Sequence, residues 1–141
     1  METLTIKIWR GADTGSFQTF SVPKRENQTI LDVVTEIQQR QDQSISYRFA
    51  CRVGVCGSCA MTVNGKPRAL NSSVITIKPL KNMPRIKDLV ADMSGFFDKW
   101  GQAGNDFNSD KTRHDAPVQI DPESKQRKAA NAAIECINCG V

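Results

Sequence analysis

The chain has 141 residues, a formal net charge of +4 and five cysteines, which serves one ordinary domain or one small domain with part of a second. Lys and Arg number 9 in residues 1–76 and 10 in residues 77–141, where 9 acids accompany them, so no basic block argues for nucleic acid. No apolar run approaches the ~20 residues that span a bilayer, and the N-terminus lacks the apolar stretch of a signal peptide, so the expected location is cytoplasmic, with any membrane association through a partner.

Thr3–Trp9 alternates, with Leu4, Ile6 and Ile8 on one face and Thr3, Thr5 and Lys7 on the other, which predicts a half-buried strand. Gly11–Gly15 predicts a turn, and Phe17–Val22 a second alternating strand that pairs with the first and is closed by Pro23. Thr29-Ile-Leu-Asp32 has the form of a helix N-terminus: the Thr29 side chain accepts from a first-turn N–H, while Asp32 reaches back and suits the positive end of the dipole. Ile30, Leu31, Val34 and Ile37 extend this as an apolar stripe to about Arg40, a face for packing on the sheet. Ala60–Val63 predicts a short strand and Asn64-Gly65 a two-residue hairpin turn, since both positions tolerate positive φ. Arg68–Leu70 would return, and Val74–Lys78 is a further strand.

The texture changes after Lys78. Pro79 and Pro84 punctuate a basic, irregular run, and Ile86–Val90 and Met93–Trp100 carry apolar residues at helix-like intervals. The segment 101–116, rich in Gly, Asn, Asp and Ser, reads as an exposed linker. Asp121-Pro122 then opens a helix, Pro being favoured at the first helical position, that runs through Lys125–Ile134 and delivers Cys136-Ile-Asn-Cys139. A hairpin, a helix and further strands ahead of Pro79 predict a small α+β domain whose mixed sheet grasps one helix. Trp9 and Trp100 read as packing residues, and His114, the single histidine, as a solvated linker residue. No Ser/His/Asp or paired-carboxylate set argues for hydrolysis.

The chemistry is concentrated in Cys51-Arg-Val-Gly-Val-Cys56-Gly-Ser-Cys59, spaced C-x4-C-x2-C. That is three-quarters of the plant-type signature for a [2Fe–2S] cluster, which takes a fourth thiolate further on. An odd cysteine count with three packed together reads as thiols or metal ligands and not as a disulfide framework. Gly54 and Gly57 allow backbone N–H groups to approach cluster sulfurs, contacts that tune the reduction potential. Arg52 and Ser58, beside them, belong to the same cofactor-shaping set. Three buried thiols and a zinc site are the alternatives, although zinc ligands usually come as two short Cys/His hooks. Cys136-x-x-Cys139 matches the opening of the bacterial ferredoxin run C-x2-C-x2-C-x3-C-P. A redox C-x-x-C pair is its other reading.

With both cysteine groups in view, the chain resembles the N-terminal part of the iron–sulfur subunit of succinate dehydrogenase / fumarate reductase. The resemblance covers nearly the whole chain. It is carried by Cys51–Met61 with Asn64-Gly65, by Pro79-Leu80, by Pro84–Phe97 and by the late C-x2-C. It implies a β-grasp, [2Fe–2S] ferredoxin-like domain over residues 1–100. Residues 101–141 would then be a linker and the first helix of a truncated α-helical ferredoxin domain. It further implies that Cys51, Cys56 and Cys59 ligate a [2Fe–2S] cluster, and that Cys136 and Cys139 are two ligands of a [4Fe–4S] cluster if the chain is a fragment of a longer protein. The electron path would run from a flavoprotein (FAD) subunit through the clusters to quinone-binding membrane-anchor subunits, so this chain alone would not oxidise succinate. The peripheral location would be the inner face of the cell membrane. The basic run Lys78–Lys87 is a solvated face or, under this resemblance, a flavoprotein docking surface. A free-standing ferredoxin-like shuttle and a cluster-free docking module are the other readings.

The chain departs from the family at the fourth ligand. Counted from Cys59, that position is Asn71, in Ala-Leu-Asn71-Ser72-Ser73. An amide is a poor replacement for thiolate on iron, and Ser72 or Ser73 would bind only as alkoxide. Asn71, Ser72 and Ser73 therefore mark the fourth-ligand region, with Cys136 and Cys139 as the remaining thiols.

Overall fold

A computed structural model of the chain describes residues 2–65, 74–104 and 109–141. It divides into two compact units, Met1–Met93 with Asn138–Val141, and Ser94–Ile137. The first is built on a mixed four-stranded sheet. β1 (Thr3–Gly11) and β2 (Gly15–Pro23) pair antiparallel, from Thr3 opposite Pro23 to Gly11 opposite Gly15. Gly11 takes φ +110°, and a Cβ there would lie 2.4 Å from the Thr14 carbonyl oxygen, so the turn closes only on glycine.

α1 (Ile30–Arg40) starts where the sequence places it. Thr29 Oγ1 accepts from the Asp32 N–H at 3.1 Å, and the Thr29 N–H donates to Asp32 Oδ2 at 2.9 Å. These bonds hold the Asp32 carboxyl below the usual carboxylate range. Val33, Val34 and Ile37 are fully buried on the side facing the sheet. β3 (Thr62–Val63) pairs antiparallel with β4 (Val74–Lys78), and β4 lies parallel to β1, giving the order β2-β1-β4-β3. Asn64 and Gly65 both take positive φ, +49° and +73°. The expected strand Arg68–Leu70 lies outside the described residues. The core gathers Leu4, Ile6, Ile8, Phe20, Val22, Ile75 and Ile77 from the sheet against α1, with Ile45 and Leu89 closing it.

The segment after Pro84 differs from its helix-like pattern. It folds as a second, two-stranded sheet, β5 (Arg85–Lys87) and β6 (Val90–Ala91). Ile86, Leu89 and Val90 fit a helical period, but so short an apolar run does not separate helix from strand. The turn is fixed at Asp88, which takes φ +51°, and its backbone N–H donates to the Gly11 carbonyl at 2.8 Å.

The second unit contains α2 (Ser94–Gln102) and α3 (Lys125–Ile134), neither of which buries a residue. α3 begins at a Ser124 cap, whose Oγ accepts from the Arg127 N–H at 3.2 Å, so Pro122 sits ahead of the helix and not at its first position. Among the described residues no helix is long and apolar enough to cross a membrane.

Asp88 is 1% exposed and fully committed. Its Oδ1 accepts from the Gly11 N–H at 2.9 Å and Arg10 Nε at 3.2 Å, and its Oδ2 accepts from the Ser46 N–H at 2.9 Å. Arg10 also reaches Asp42 at 3.0 Å and Ser44 at 2.7 Å. Asp88→Ala leaves two half-buried amides and a half-buried guanidinium without their acceptor. It should cost about 3 kcal/mol or more, seen as a lower urea midpoint, with Asp88→Asn intermediate because it keeps one oxygen. An Asp88→Ala protein as stable as its parent contradicts this reading of the fold.

Candidate functional site

The cysteine loop hangs between two anchored stems. On the approach, Ile45 is buried, and Ser46 exchanges its N–H with Asp88 and its carbonyl with the Leu89 N–H at 3.1 Å. The Tyr47 hydroxyl meets Thr35 Oγ1 on α1 at 3.1 Å, and Arg48 Nη1 donates to the Ala91 carbonyl at 2.8 Å. Tyr47 stacks on Phe49 with centroids 5.5 Å apart, and the Arg52 guanidinium lies 4.5 Å from the Phe49 centroid. On the exit, Met61 packs against the core and Thr62 and Val63 enter β3.

Within the loop the backbone is left-handed at Arg52 (φ +57°), Gly54 (φ +72°) and Gly57 (φ +67°). A Cβ at Gly54 would meet nothing within 4 Å, so glycine answers a conformational need there and not a steric one. The outcome is a ring of amides turned onto one sulfur. Cys51 Sγ accepts from the N–H groups of Val53, Val55 and Cys56 at 3.5, 3.4 and 3.4 Å. Led by the Val53 amide, these donors bring the Cys51 thiol down to about 6. Cys56 Sγ lies 3.2 Å from Ser58 Oγ, and the hydroxyl lowers the Cys56 thiol too. Val53 and Val55 turn their side chains out, at 73% and 64% exposure. Cys51, Cys56 and Cys59 are each half-buried and none is in a disulfide.

Arg52, Gly54, Gly57 and Ser58 all lie in this loop, and each bears on its shape or its thiols as described. Cys136 follows α3, its N–H donating to the Ala133 carbonyl at 3.1 Å, and Cys139 is half-buried three residues later. Asn71, Ser72 and Ser73 lie outside the described residues. Among those described, no group of three or more His, Cys, Asp or Glu side chains closes on a point as a single metal ion requires. A two-iron cluster shares its cysteines between two irons, so its ligands need not meet at one point.

Residues 5–98 match the family described as a 2Fe-2S iron-sulfur cluster binding domain. The chain belongs to this family. It is 34% identical, over 136 residues, to the fumarate reductase iron-sulfur subunit of Mycobacterium tuberculosis, a match covering 88% of this chain and 53% of that protein. It is 39% identical over 121 residues to the mitochondrial succinate dehydrogenase [ubiquinone] iron-sulfur subunit 1 of Oryza sativa, covering 78% of this chain and 42% of that one. A solved structure, the Mycobacterium smegmatis Sdh1 complex in the apo form, superposes with a TM-score of 0.76 at 25% identity, covering 97% of this chain and 60% of its own. The chain thus spans about half the length of the curated relatives it matches.

The cofactor of this family member is a [2Fe–2S] cluster, and the loop fits it. Its donors are thiols, two of them already acidified, and its amides point at sulfur. Sequence reasoning found the thiols and glycines. It missed the pins on the stem, Ser46, Arg48 and Asp88, which act across the fold and carry no local pattern.

Before cluster assembly, the Cys51 thiol should be mostly thiolate at pH 7 and protonate only as pH falls through about 6. Iodoacetamide labelling of the apoprotein, read by peptide mass spectrometry, should show Cys51 reacting with a pH midpoint near that value. A midpoint in the ordinary thiol range of about 8.5 contradicts the amide ring.

Proposed function

We propose that this chain is the electron-transfer part of a succinate dehydrogenase / fumarate reductase iron–sulfur subunit, passing single electrons between a flavoprotein subunit and quinone-linked membrane subunits. The observation that carries it is the set of three backbone N–H groups aimed at Cys51 Sγ, inside the stretch that matches the 2Fe-2S iron-sulfur cluster binding domain. The names of the relatives support the complex to which it belongs.

In this reading Cys51, Cys56 and Cys59 hold the [2Fe–2S] cluster, and Asn71, Ser72 or Ser73 stands at the fourth position. The bound cluster supplies reversible one-electron chemistry. The chain's own residues set its terms. The Val53, Val55 and Cys56 amides favour the more negative, reduced state, while the Val53 and Val55 side chains point away from the thiols. Residues 1–100 are the ferredoxin-like domain, and residues 101–141 begin a second iron–sulfur domain in which Cys136 and Cys139 are two ligands of a [4Fe–4S] cluster. Substrate and flavin chemistry belong to the partner, and the location is the inner face of the cell membrane, reached through membrane subunits.

The test uses the assembled complex. With Cys51→Ala or Cys59→Ala, succinate should still reduce an artificial dye that takes electrons at the flavin, while quinone reduction falls by about 100-fold or more. Quinone reduction at the parental rate in both variants, with the complex intact on gel filtration, overturns the proposal. Asn71 at the ligand position favours a second reading, a docking module of this family without a cluster.

A further inference from the structure

Phe49 is a large apolar side chain that the core does not use. It is 43% exposed, and among the described residues neither the buried cluster nor the side chains packed on it include Phe49. Its contacts lie along the cysteine loop instead. The ring meets that of Tyr47 nearly parallel, at 20° with centroids 5.5 Å apart, and the Arg52 guanidinium lies 4.5 Å from its centroid. Tyr47 packs against the core and donates its hydroxyl to Thr35 Oγ1 on α1 at 3.1 Å. A stack therefore runs from α1 through Tyr47 and Phe49 to Arg52, the residue next to Cys51.

Arg52 is the strained point of the loop. It takes φ +57°, a left-handed conformation that costs any residue with a Cβ. Gly54 and Gly57 are left-handed too, without that cost. The backbone at Arg52 sets the direction of the next peptide group, whose N–H belongs to Val53 and donates to Cys51 Sγ at 3.5 Å. A cation on an exposed ring returns free energy of the same order as the strain. The Arg52 charge also reaches the head of α1: the Asp32 carboxyl is lowered chiefly by Thr29 and further by Arg52. Both a ring and a carboxylate thus favour one placement of this side chain.

We propose that Phe49 is a positioning residue for the cysteine loop: its ring holds the Arg52 side chain, and so keeps the left-handed backbone that aims the Val53 N–H at Cys51 Sγ. For its effect on a cluster this rests on the electron-transfer reading; for the amide it does not. An N–H on a ligand sulfur favours the more negative, reduced state, so releasing the Val53 amide makes a bound cluster harder to reduce.

The experiment uses the full chain with and without its cluster. In reconstituted protein, an EPR-monitored redox titration gives the midpoint potential. Phe49→Ala should weaken reduction by about threefold or more, read as a lower midpoint, while Phe49→Tyr, which keeps the ring, should stay within about twofold of the parent. Glycine takes positive φ unaided, so in an Arg52→Gly background Phe49→Ala should move the midpoint no further. An unchanged midpoint in Phe49→Ala overturns the proposal. So does an equal shift in both backgrounds, which would make the ring a cover against water. In the reduced apoprotein, 15N relaxation reads the hold itself: Phe49→Ala should loosen the Val53 amide on the ps–ns timescale, Phe49→Tyr should not, and the amides of β1 should be unchanged in both. This second arm decides the matter if the cluster fails to assemble in the parent, a failure that falls on the electron-transfer reading, or in a variant. A Val53 amide as rigid in Phe49→Ala as in the parent, or a loosening shared by β1, overturns the proposal.

Discussion

The buried carboxylate of Asp88 is the constraint on which the rest of the structure depends. It ties the end of β1 to the segment after α1 and to the small second sheet, through Gly11, Arg10 and Ser46. A carboxylate at 1% exposure is tolerable only when its oxygens are filled, and here two amides and a guanidinium fill them. Because Ser46 lies five residues before Cys51, this tie sets where the cysteine loop leaves the core. Arg48 on the Ala91 carbonyl and Tyr47 on Thr35 add two further pins to the same stem.

A loop held at both stems can afford strain between them. Three left-handed positions within six residues turn successive N–H groups inward. Their effect is electrostatic: donors concentrated on Cys51 Sγ favour negative charge at sulfur, whether on a free thiolate or on a ligand of an iron cluster. Only Arg52 among the three lacks the freedom of glycine, and its side chain rests on Phe49, so a contact accompanies the strained conformation. The core thus acts on the cofactor through the stem and not through a side chain of its own.

Much of this was legible in the sequence. The alternation of β1 and the Thr29–Asp32 capping box are local patterns whose physics operates within a few residues, and the structure has both, with Asn64 and Gly65 at the positive φ that the expected turn needs. The thiol spacing singled out the cysteine loop for the same reason. The Ile86–Val90 segment was misleading because its apolar residues fit a helical period, whereas the decisive partner, the Gly11 carbonyl, is remote in sequence. Arg10 and Asp88 are 78 residues apart, and nothing near either announces the pair. Trp9 read as packing. It does pack on Phe17, but on the open side of the sheet, a distinction that depends on the β1–β2 register.

The central claim is that this loop holds a [2Fe–2S] cluster although Asn71 stands where the resemblance leads one to expect a fourth cysteine. The direct measurement is iron and acid-labile sulfide on anaerobically reconstituted protein, with EPR after dithionite reduction. The account predicts about two irons and two sulfides per chain and a rhombic signal in the reduced state. Absence of sulfide, with zinc or nothing bound, would contradict it.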